Sequence, residues 1–203
     1  MRELSQHILD LLQNGIEAGA TRLELDIDDD EQANRLTITV CDNGRGMDEE
    51  TLQRVTDPFY TTRTTRHVGL GLPLLQAAAE RCAGGLTIAS QPGQGTVVTA
   101  TFQRDHIDRA PLGDMVTTVM SVLLSAHECD LVYRHRANGR VFTLDSAELR
   151  EALGDVPLSH PAVRSWIQSY IQEGLDALNG ADDEASSGAV AKESDNATSQ
   201  VAG

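Results

Sequence analysis

The sequence is poor in aromatic residues, cysteine and long apolar runs, and each shortage excludes a class of protein. Aromatic residues make up 3% of the 203-residue chain, so aliphatic side chains must fill the core. Three cysteines without a CxxC pair argue against a disulfide framework or a cysteine-rich zinc site, and favour a reducing cytoplasm. No apolar run is long enough to span a membrane, and the first residues follow the pattern of an amphipathic helix rather than a cleavable signal.

Lysine is almost absent, and acidic residues outnumber basic residues. The one lysine is Lys192, near the C-terminus, so a phosphate-binding loop of the GxxxxGK[ST] kind and a lysine Schiff base are both excluded. The 16 basic residues face 31 acidic ones, for a net charge of −15, which argues against a nucleic-acid partner. Any nucleotide must therefore be held without a lysine.

Composition divides the chain into three segments. Residues 179–203 are small, polar and acidic, and we expect them to form a disordered tail. Residues 1–105 carry the order helix, two strands, loop, helix, two strands, which predicts an α/β (α+β) two-layer sandwich, with helices on one face of a mixed sheet. Residues 106–178 have their own helical and hairpin patterns and predict a small α+β module.

The periodicity of the first segment predicts its elements. Apolar residues at helical spacing predict a helix over 3–18, and alternation predicts strands around Leu25 and Ile38. The later elements are a short helix near 48–55, an irregular stretch at 57–68, a helix opened by Gly69-Leu70-Gly71 and running to about Cys82, and strands at 86–90 and 96–102.

The first helix carries two polar residues with chemistry of their own. Asp10 and Asn14 stand four residues apart and therefore share one face. A carboxylate there can polarise a water molecule, and an amide oxygen can ligate a hard cation such as magnesium. Two solvated side chains on an exposed face are the alternative.

Three glycine-containing turns follow in order. Asp42 ends a strand and leads into Gly44 and Gly46, where the backbone can approach a ligand closely. The sequence VGLGLP at 68–73 opens a helix, and unpaired amides at a helix start suit phosphate groups. Thr96 follows the turn Gln91-Pro92-Gly93-Gln94-Gly95 and offers a hydroxyl at the start of a strand. Each turn alone also fits an ordinary cap or hairpin.

Taken together, these motifs resemble a known family. The stretches LSQHILDLLQNGIEAGA, CDNGRGM, DPFYTT, RHVGLGLPL and GQGT are similar to the ATP-binding domain (Bergerat fold) shared by DNA gyrase B, the ninety-kilodalton heat-shock chaperone, sensor histidine kinases and MutL. The resemblance covers about residues 3–103. It implies an ATP-binding protein that uses magnesium.

The resemblance implies roles for the polar residues. Asn14 matches the magnesium ligand, and Asp10 stands where hydrolysing members carry a water-activating Glu. Because Asp is one methylene shorter, we expect slow or partner-stimulated hydrolysis. Asp42 matches the residue that reads the adenine amino group, with Thr96 supporting it through a water molecule. His7 lies one turn before Asp10 and could assist it, although we expect an ordinary surface histidine.

The resemblance also implies a nucleotide cradle and a lid. Gly44 and Gly46 let the chain pass the base, and Met47 packs beside it. Residues 57–68 resemble a mobile lid that ATP orders, in which Arg63 and Arg66 meet phosphate charge. The amides implied to bind phosphate belong to Gly69, Leu70, Gly71 and Leu72.

Three functions remain open at this stage. The first is a regulatory ATP-binding protein with weak turnover, and the second is a protein kinase acting on a serine or histidine of a partner. The third is a nucleotide-sensing module without turnover. The ATP-binding pattern begins at the first residues, which leaves no space for a phosphoacceptor hairpin, so we do not expect a sensor kinase in its own right.

Residues 106–178 are expected to dock a protein partner or to close a homodimer. The stretches HIDRAPLGDM and LDSAELREALGDVPLSHPAV weakly resemble short ATP-binding proteins found with iron-only hydrogenase, which implies a redox enzyme complex as one partner. His127, Cys129 and His135 form a weak candidate metal site, because no second paired ligand accompanies them.

Overall fold

The computed structural model describes residues 3–56, 71–125 and 129–180. In the first segment, the order of helices and strands is the predicted one: a helix, two strands, a short helix, a second helix and two strands. The elements of the described residues are α1 (Leu4–Glu17), β1 (Arg22–Asp30), β2 (Arg35–Asp42), α2 (Glu49–Arg54), α3 (Gly71–Arg81), β3 (Gly85–Gln91), β4 (Gly95–Gln103), α4 (Met115–Ser125), β5 (Asp130–Ala137), β6 (Arg140–Asp145), α5 (Ser146–Leu153) and α6 (Pro161–Asn179).

A six-stranded mixed sheet forms one layer of the fold. Its strand order is β3-β4-β2-β1-β5-β6, and all neighbours are antiparallel except β1 and β5. Along β1, Leu23, Leu25 and Ile27 are buried while Glu24 and Asp26 alternate with them on the opposite face. The helices cover the apolar face, so the predicted two-layer sandwich with a mixed sheet is confirmed.

Helix α1 lies at the centre of the helical layer. Its buried residues Leu4, Ile8, Leu11 and Leu12 recur at helical spacing and form one apolar stripe. The helix contacts β2, α3 and α4. Its other side is therefore positioned at the end of β2 and the start of α3, where the candidate site lies.

The segment after residue 105 shares the sheet and the core of the first segment. Strand β5 runs parallel to β1, with Leu131 opposite Leu23 and Tyr133 opposite Leu25. Tyr133 is completely buried and belongs to the same apolar cluster as α1. The predicted division at residue 105 thus falls inside a continuous sheet, although whether the two parts are separate domains stays a prediction.

The predicted hairpin of the second segment occurs where its turn signal stands. Strands β5 and β6 are joined at Asn138 and Gly139, whose φ angles of 53° and 72° suit a two-residue turn. Helices α4 and α6 cover the apolar face of these strands. In the described part of the chain, no helix combines the length and the apolar character that crossing a membrane requires.

On the open face, an arginine links the two parallel strands. Arg134 on β5 donates from Nε to Asp26 Oδ1 at 2.7 Å and from Nη2 to Asp26 Oδ2 at 2.9 Å. The same Nη2 donates to Glu24 Oε2 at 2.8 Å. Charge-assisted, two-pronged bonds of this kind hold β5 in register with β1.

Candidate functional site

The polar face of α1 brings Asp10 and Asn14 together, as their spacing predicts. Asn14 Nδ2 donates to Asp10 Oδ2 at 3.4 Å, and both side chains are half-buried. Because the amide nitrogen faces the carboxylate, the amide oxygen, which is the atom that a cation needs, lies on the other side of the group.

The carboxylate of Asp42 stands at the end of β2, beside α1. Its Oδ1 accepts a hydrogen bond from the Gly44 amide at 2.8 Å. A Cβ on Gly15 of α1 would lie 3.0 Å from the Asp42 Cβ, which shows how closely the helix approaches. Burial raises the pKa of Asp42, while hydrogen bonds from the backbone of Gly44 and Thr96 act in the opposite direction.

Thr96 lies opposite Asp42 in the β2–β4 register and is tied to a residue that the sequence analysis missed. The hydroxyls of Thr96 and Ser90 are 3.0 Å apart, and Ser90 Oγ donates to the Gly95 carbonyl at 2.9 Å. Ser90 Oγ also accepts from the Met47 amide at 2.9 Å. In the sequence, Ser90 ends a predicted strand just before the Gln91–Gly95 turn, and that position could have indicated that it pairs with Thr96 across the turn.

The glycine loop after β2 packs against this same turn. Gly46 has a φ of +64°, and a Cβ there would overlap the Gln91 carbonyl. The backbone of Met47 is held by Ser90, and Gly44 is buried beside Ala18 of α1. Asp42, the loop and Thr96 therefore form one connected polar corner at the end of the sheet.

The start of α3 meets the other end of the polar face of α1. A Cβ on Gly71 would overlap Oδ2 of Asp10. Leu72, the next residue, is half-buried and packs its side chain against the core. The other predicted phosphate ligands, Gly69, Leu70, Arg63 and Arg66, lie outside the described residues, as does the predicted lid at 57–68.

The expectation that His7 is an ordinary surface histidine is wrong. The side chain, on α1, is 6% exposed, and the backbone of Gly71 at the start of α3 lies near it. Burial lowers its pKa, and a neighbouring Asp10 carboxylate and a hydrogen bond to the Gly71 backbone oppose that shift. Among the described residues, nothing pairs with its buried Nδ1.

Only part of the weak candidate metal site at His127, Cys129 and His135 lies within the described residues. Nδ1 of His135 is 2.9 Å from the hydroxyl of Tyr133, and Cys129 is buried at the start of β5, while His127 lies outside the described residues. In residues 3–56, 71–125 and 129–180, no three His, Cys, Asp or Glu side chains are grouped to hold a metal ion. All three cysteines are unpaired, in agreement with the prediction of no disulfide.

Comparison with models of protein families identifies the family of this chain. The model described as histidine kinase-, DNA gyrase B- and HSP90-like ATPase matches residues 1–106, which is more than half of the chain. The chain belongs to this ATPase family. The resemblance seen in its motifs is thereby confirmed.

Curated relatives of this ATPase domain include bacterial kinases. The sensor protein kinase FleS of Pseudomonas aeruginosa is 42% identical over 105 residues, covering 52% of this chain and 25% of the relative. Sporulation kinase C of Bacillus subtilis is 35% identical over 95 residues, covering 47% of this chain and 22% of the relative. The chain thus spans a quarter or less of the length of these relatives.

A solved structure resembles the chain beyond the ATPase match. The N-terminal domain of a DNA repair protein superposes with a TM-score of 0.52 at 15% identity, covering 71% of this chain and 53% of that one. This likeness concerns the fold alone. Its coverage exceeds residues 1–106, which agrees with a sheet that continues into β5 and β6.

Proposed function

We propose that the chain binds ATP with magnesium along the polar face of α1. The observation that carries this proposal is that one helix contacts both Asp42 at the end of β2 and the first residue of α3, and we propose that the nucleotide lies in the groove between these two places. Its Gly15 adjoins Asp42, and its Asp10 adjoins Gly71, about 7.5 Å apart along the helix axis at the standard rise per residue. Membership of the ATPase family supports this reading.

At one end of the groove, Asp42 accepts a hydrogen bond from the adenine amino group. The carboxylate already receives backbone hydrogen bonds from Gly44 and Thr96, and its two oxygens keep enough acceptor sites to meet the base as well. The Ser90–Thr96 hydroxyl pair orients a bridging water or the ring edge, and Met47 packs beside the base. Gly44 and Gly46 permit the close approach of the loop.

At the other end, the triphosphate lies against Asn14, Asp10 and the start of α3. The Asn14 amide oxygen and the phosphates together supply the hard oxygen ligands that magnesium prefers, and the ion neutralises phosphate charge when bound. The backbone amides at Gly71 and Leu72 stand at the positive end of a helix of 11 residues, which favours an anion. Gly69, Leu70, Arg63 and Arg66 complete the phosphate contacts in this proposal.

Asp10 is the residue proposed to polarise the attacking water molecule. Its Oδ2 is occupied on one side by the Asn14 amide and abuts Gly71 on the other, so its position is fixed by both partners. The short Asp side chain favours slow turnover that a partner accelerates. A lid at 57–68 that closes over ATP would report the bound state to that partner.

Protein kinase activity is the second candidate, because the relatives at 42% and 35% identity bear the names of kinases. The phosphate would then pass to a serine or histidine of a partner docked on residues 106–178. In that segment, Trp166 and Tyr170 stack at 5.4 Å on an exposed side of α6, which supports a docking or dimer surface. A redox complex and a cytoplasmic location remain hypotheses from the sequence.

Calorimetry of the full chain with ATP and magnesium tests the site. Asp42→Asn should weaken ATP binding at least tenfold, since the new amide either loses the Gly44 bond or turns its NH₂ group toward the adenine amine. Asp28→Asn, an exposed change on β1, is the matched control and should bind as the wild-type chain does. Equal affinity of the Asp42 variant and the wild-type chain would refute the proposed site. Phosphate release, or label from γ-phosphate on a co-purified protein, then separates hydrolysis from transfer.

A further inference from the structure

His7 is the one buried histidine on the polar face of α1, and the proposed ATP site gives it no role so far. It is 6% exposed and its Nδ1 has no partner in the part of the chain that the structure describes. A buried nitrogen without a partner costs folding free energy, whereas an apolar side chain of similar size would not. Packing alone therefore does not explain a histidine here.

The position of His7 relative to the site is specific. Residues 7, 10 and 14 follow the i, i+3, i+7 spacing of one helix face, so His7 extends the line formed by Asn14 and Asp10 toward α3. The ring lies near the backbone of Gly71 and near the Asp10 carboxylate, both of which raise its pKa. Gly71 in turn touches that same carboxylate.

Three groups thus meet at one point: an imidazole and a carboxylate from α1, and the first backbone unit of α3. The close approach of Gly71 to Asp10 depends on the absence of a Cβ. The imidazole stands one turn before Asp10 on the same face of α1, close enough to the Gly71 backbone to bind it. The start of α3 is also one of the places against which the proposed function puts the triphosphate.

We propose that His7 is a positioning residue that holds the Gly71 backbone against Asp10, and so fixes the amides at the start of α3 for the terminal phosphate of ATP. The inference rests on the proposed function. It adds a residue that acts through Gly71 without touching the nucleotide. It predicts that His7 matters for ATP and not for ADP, because the inference assigns the amides at the start of α3 to the terminal phosphate, which ADP lacks.

Three substitutions distinguish positioning from packing. Glutamine carries its amide nitrogen near the place of the imidazole Nε2, and asparagine carries its own near the place of Nδ1. Leucine fills the space without any polar atom. If the bond to Gly71 is what matters, His7→Gln should keep the wild-type behaviour, while His7→Asn and His7→Leu should lose it.

The test measures calorimetric affinity for ATP and for ADP, each with magnesium, and thermal unfolding without nucleotide. For His7→Leu we expect ATP binding to weaken about threefold to tenfold, as for the loss of one hydrogen bond, with ADP affinity unchanged. Its Tm should be unchanged or higher, since the unpartnered Nδ1 is gone. His7→Gln should restore ATP affinity to within about twofold of the wild-type value.

Several outcomes would overturn the inference. It fails if His7→Leu binds ATP like the wild-type chain, or weakens ATP and ADP equally. It also fails if glutamine and asparagine behave alike, or if every variant loses affinity only in proportion to a lowered Tm. A wild-type chain that binds neither nucleotide would instead refute the proposed function itself.

Discussion

Gly71 and Asp10 lie in direct contact: a Cβ on Gly71 would overlap Oδ2 of the Asp10 carboxylate, which would then have to move. The contact joins the first turn of α3 to the middle of α1. It places a carboxylate from one helix beside the backbone amides at the start of another. The geometry of the candidate phosphate end therefore depends on a missing methyl group.

Gly71→Ala should lower the free energy of unfolding by at most about 1 kcal/mol, because the new methyl group must displace the Asp10 carboxylate, which is the mobile end of a half-buried side chain. The cost should shrink in an Asp10→Ala background, where the carboxylate is absent. Gly85→Ala is the matched control, since a Cβ there would have nothing within 4 Å. Urea unfolding of the single and double variants measures the coupling. An equal cost of Gly71→Ala in both backgrounds would contradict the contact.

Asp42→Asn should also change nucleotide preference. If the amide oxygen keeps the Gly44 bond, its NH₂ group faces the base and favours an acceptor there. ATP presents a donor amine at that position and ITP presents a carbonyl oxygen. We therefore expect the affinity ratio of ATP to ITP to fall at least tenfold, measured by competition binding. A ratio unchanged by the substitution would show that Asp42 does not read the base.

Much of the fold could be predicted because local pattern and global fold agree. The i, i+3, i+4 spacing from Leu4 to Leu12 specifies α1, and Asn138-Gly139 specifies the β5–β6 turn. The parallel pairing of β5 with β1 joins residues more than 100 positions apart, and nothing local in the sequence encodes it. For that reason the sequence predicts two separate segments divided at residue 105, whereas the sheet continues across that division.

The sequence predicts several residues of the candidate site, but not the contacts between them. Asp10, Asn14 and Asp42 were named from their motifs, whereas Ser90 was missed because a serine in a strand is common and only its pairing with Thr96 gives it a place. The burial of His7 does not follow from α1 alone, because its helical neighbours include both the polar Asp10 and the apolar Leu4 and Leu11. The start of α3 lies near His7 only in the folded chain.

The stability of the protein should fall in mild acid, with His135 contributing. Burial lowers the pKa of His135 from 6.5 to about 4, so the unfolded chain binds a proton that the folded chain does not. Stability is therefore lost as the pH falls from about 6.5 to about 4, by up to roughly 3 kcal/mol from this group. Unfolding free energies measured across that range in wild type, His135→Gln and the exposed-site control His160→Gln test the contribution. Only His135→Gln should flatten the profile, and parallel profiles in all three would contradict it.

Arg134→Lys should test whether the sheet is a single cooperative unit. The change removes the two-pronged bond to Asp26 that links β5 to β1, and we expect a loss of about 1 kcal/mol that shrinks at high salt. The one tryptophan, Trp166, lies on α6, so its fluorescence reports the second segment while far-UV circular dichroism reports the whole chain. Both urea transitions should coincide in the wild-type protein and shift together in the variant, whereas the surface control Arg54→Lys should shift neither. If the Trp166 transition moved alone, the second segment would unfold as its own domain, and the link between β1 and β5 would not join the two halves energetically.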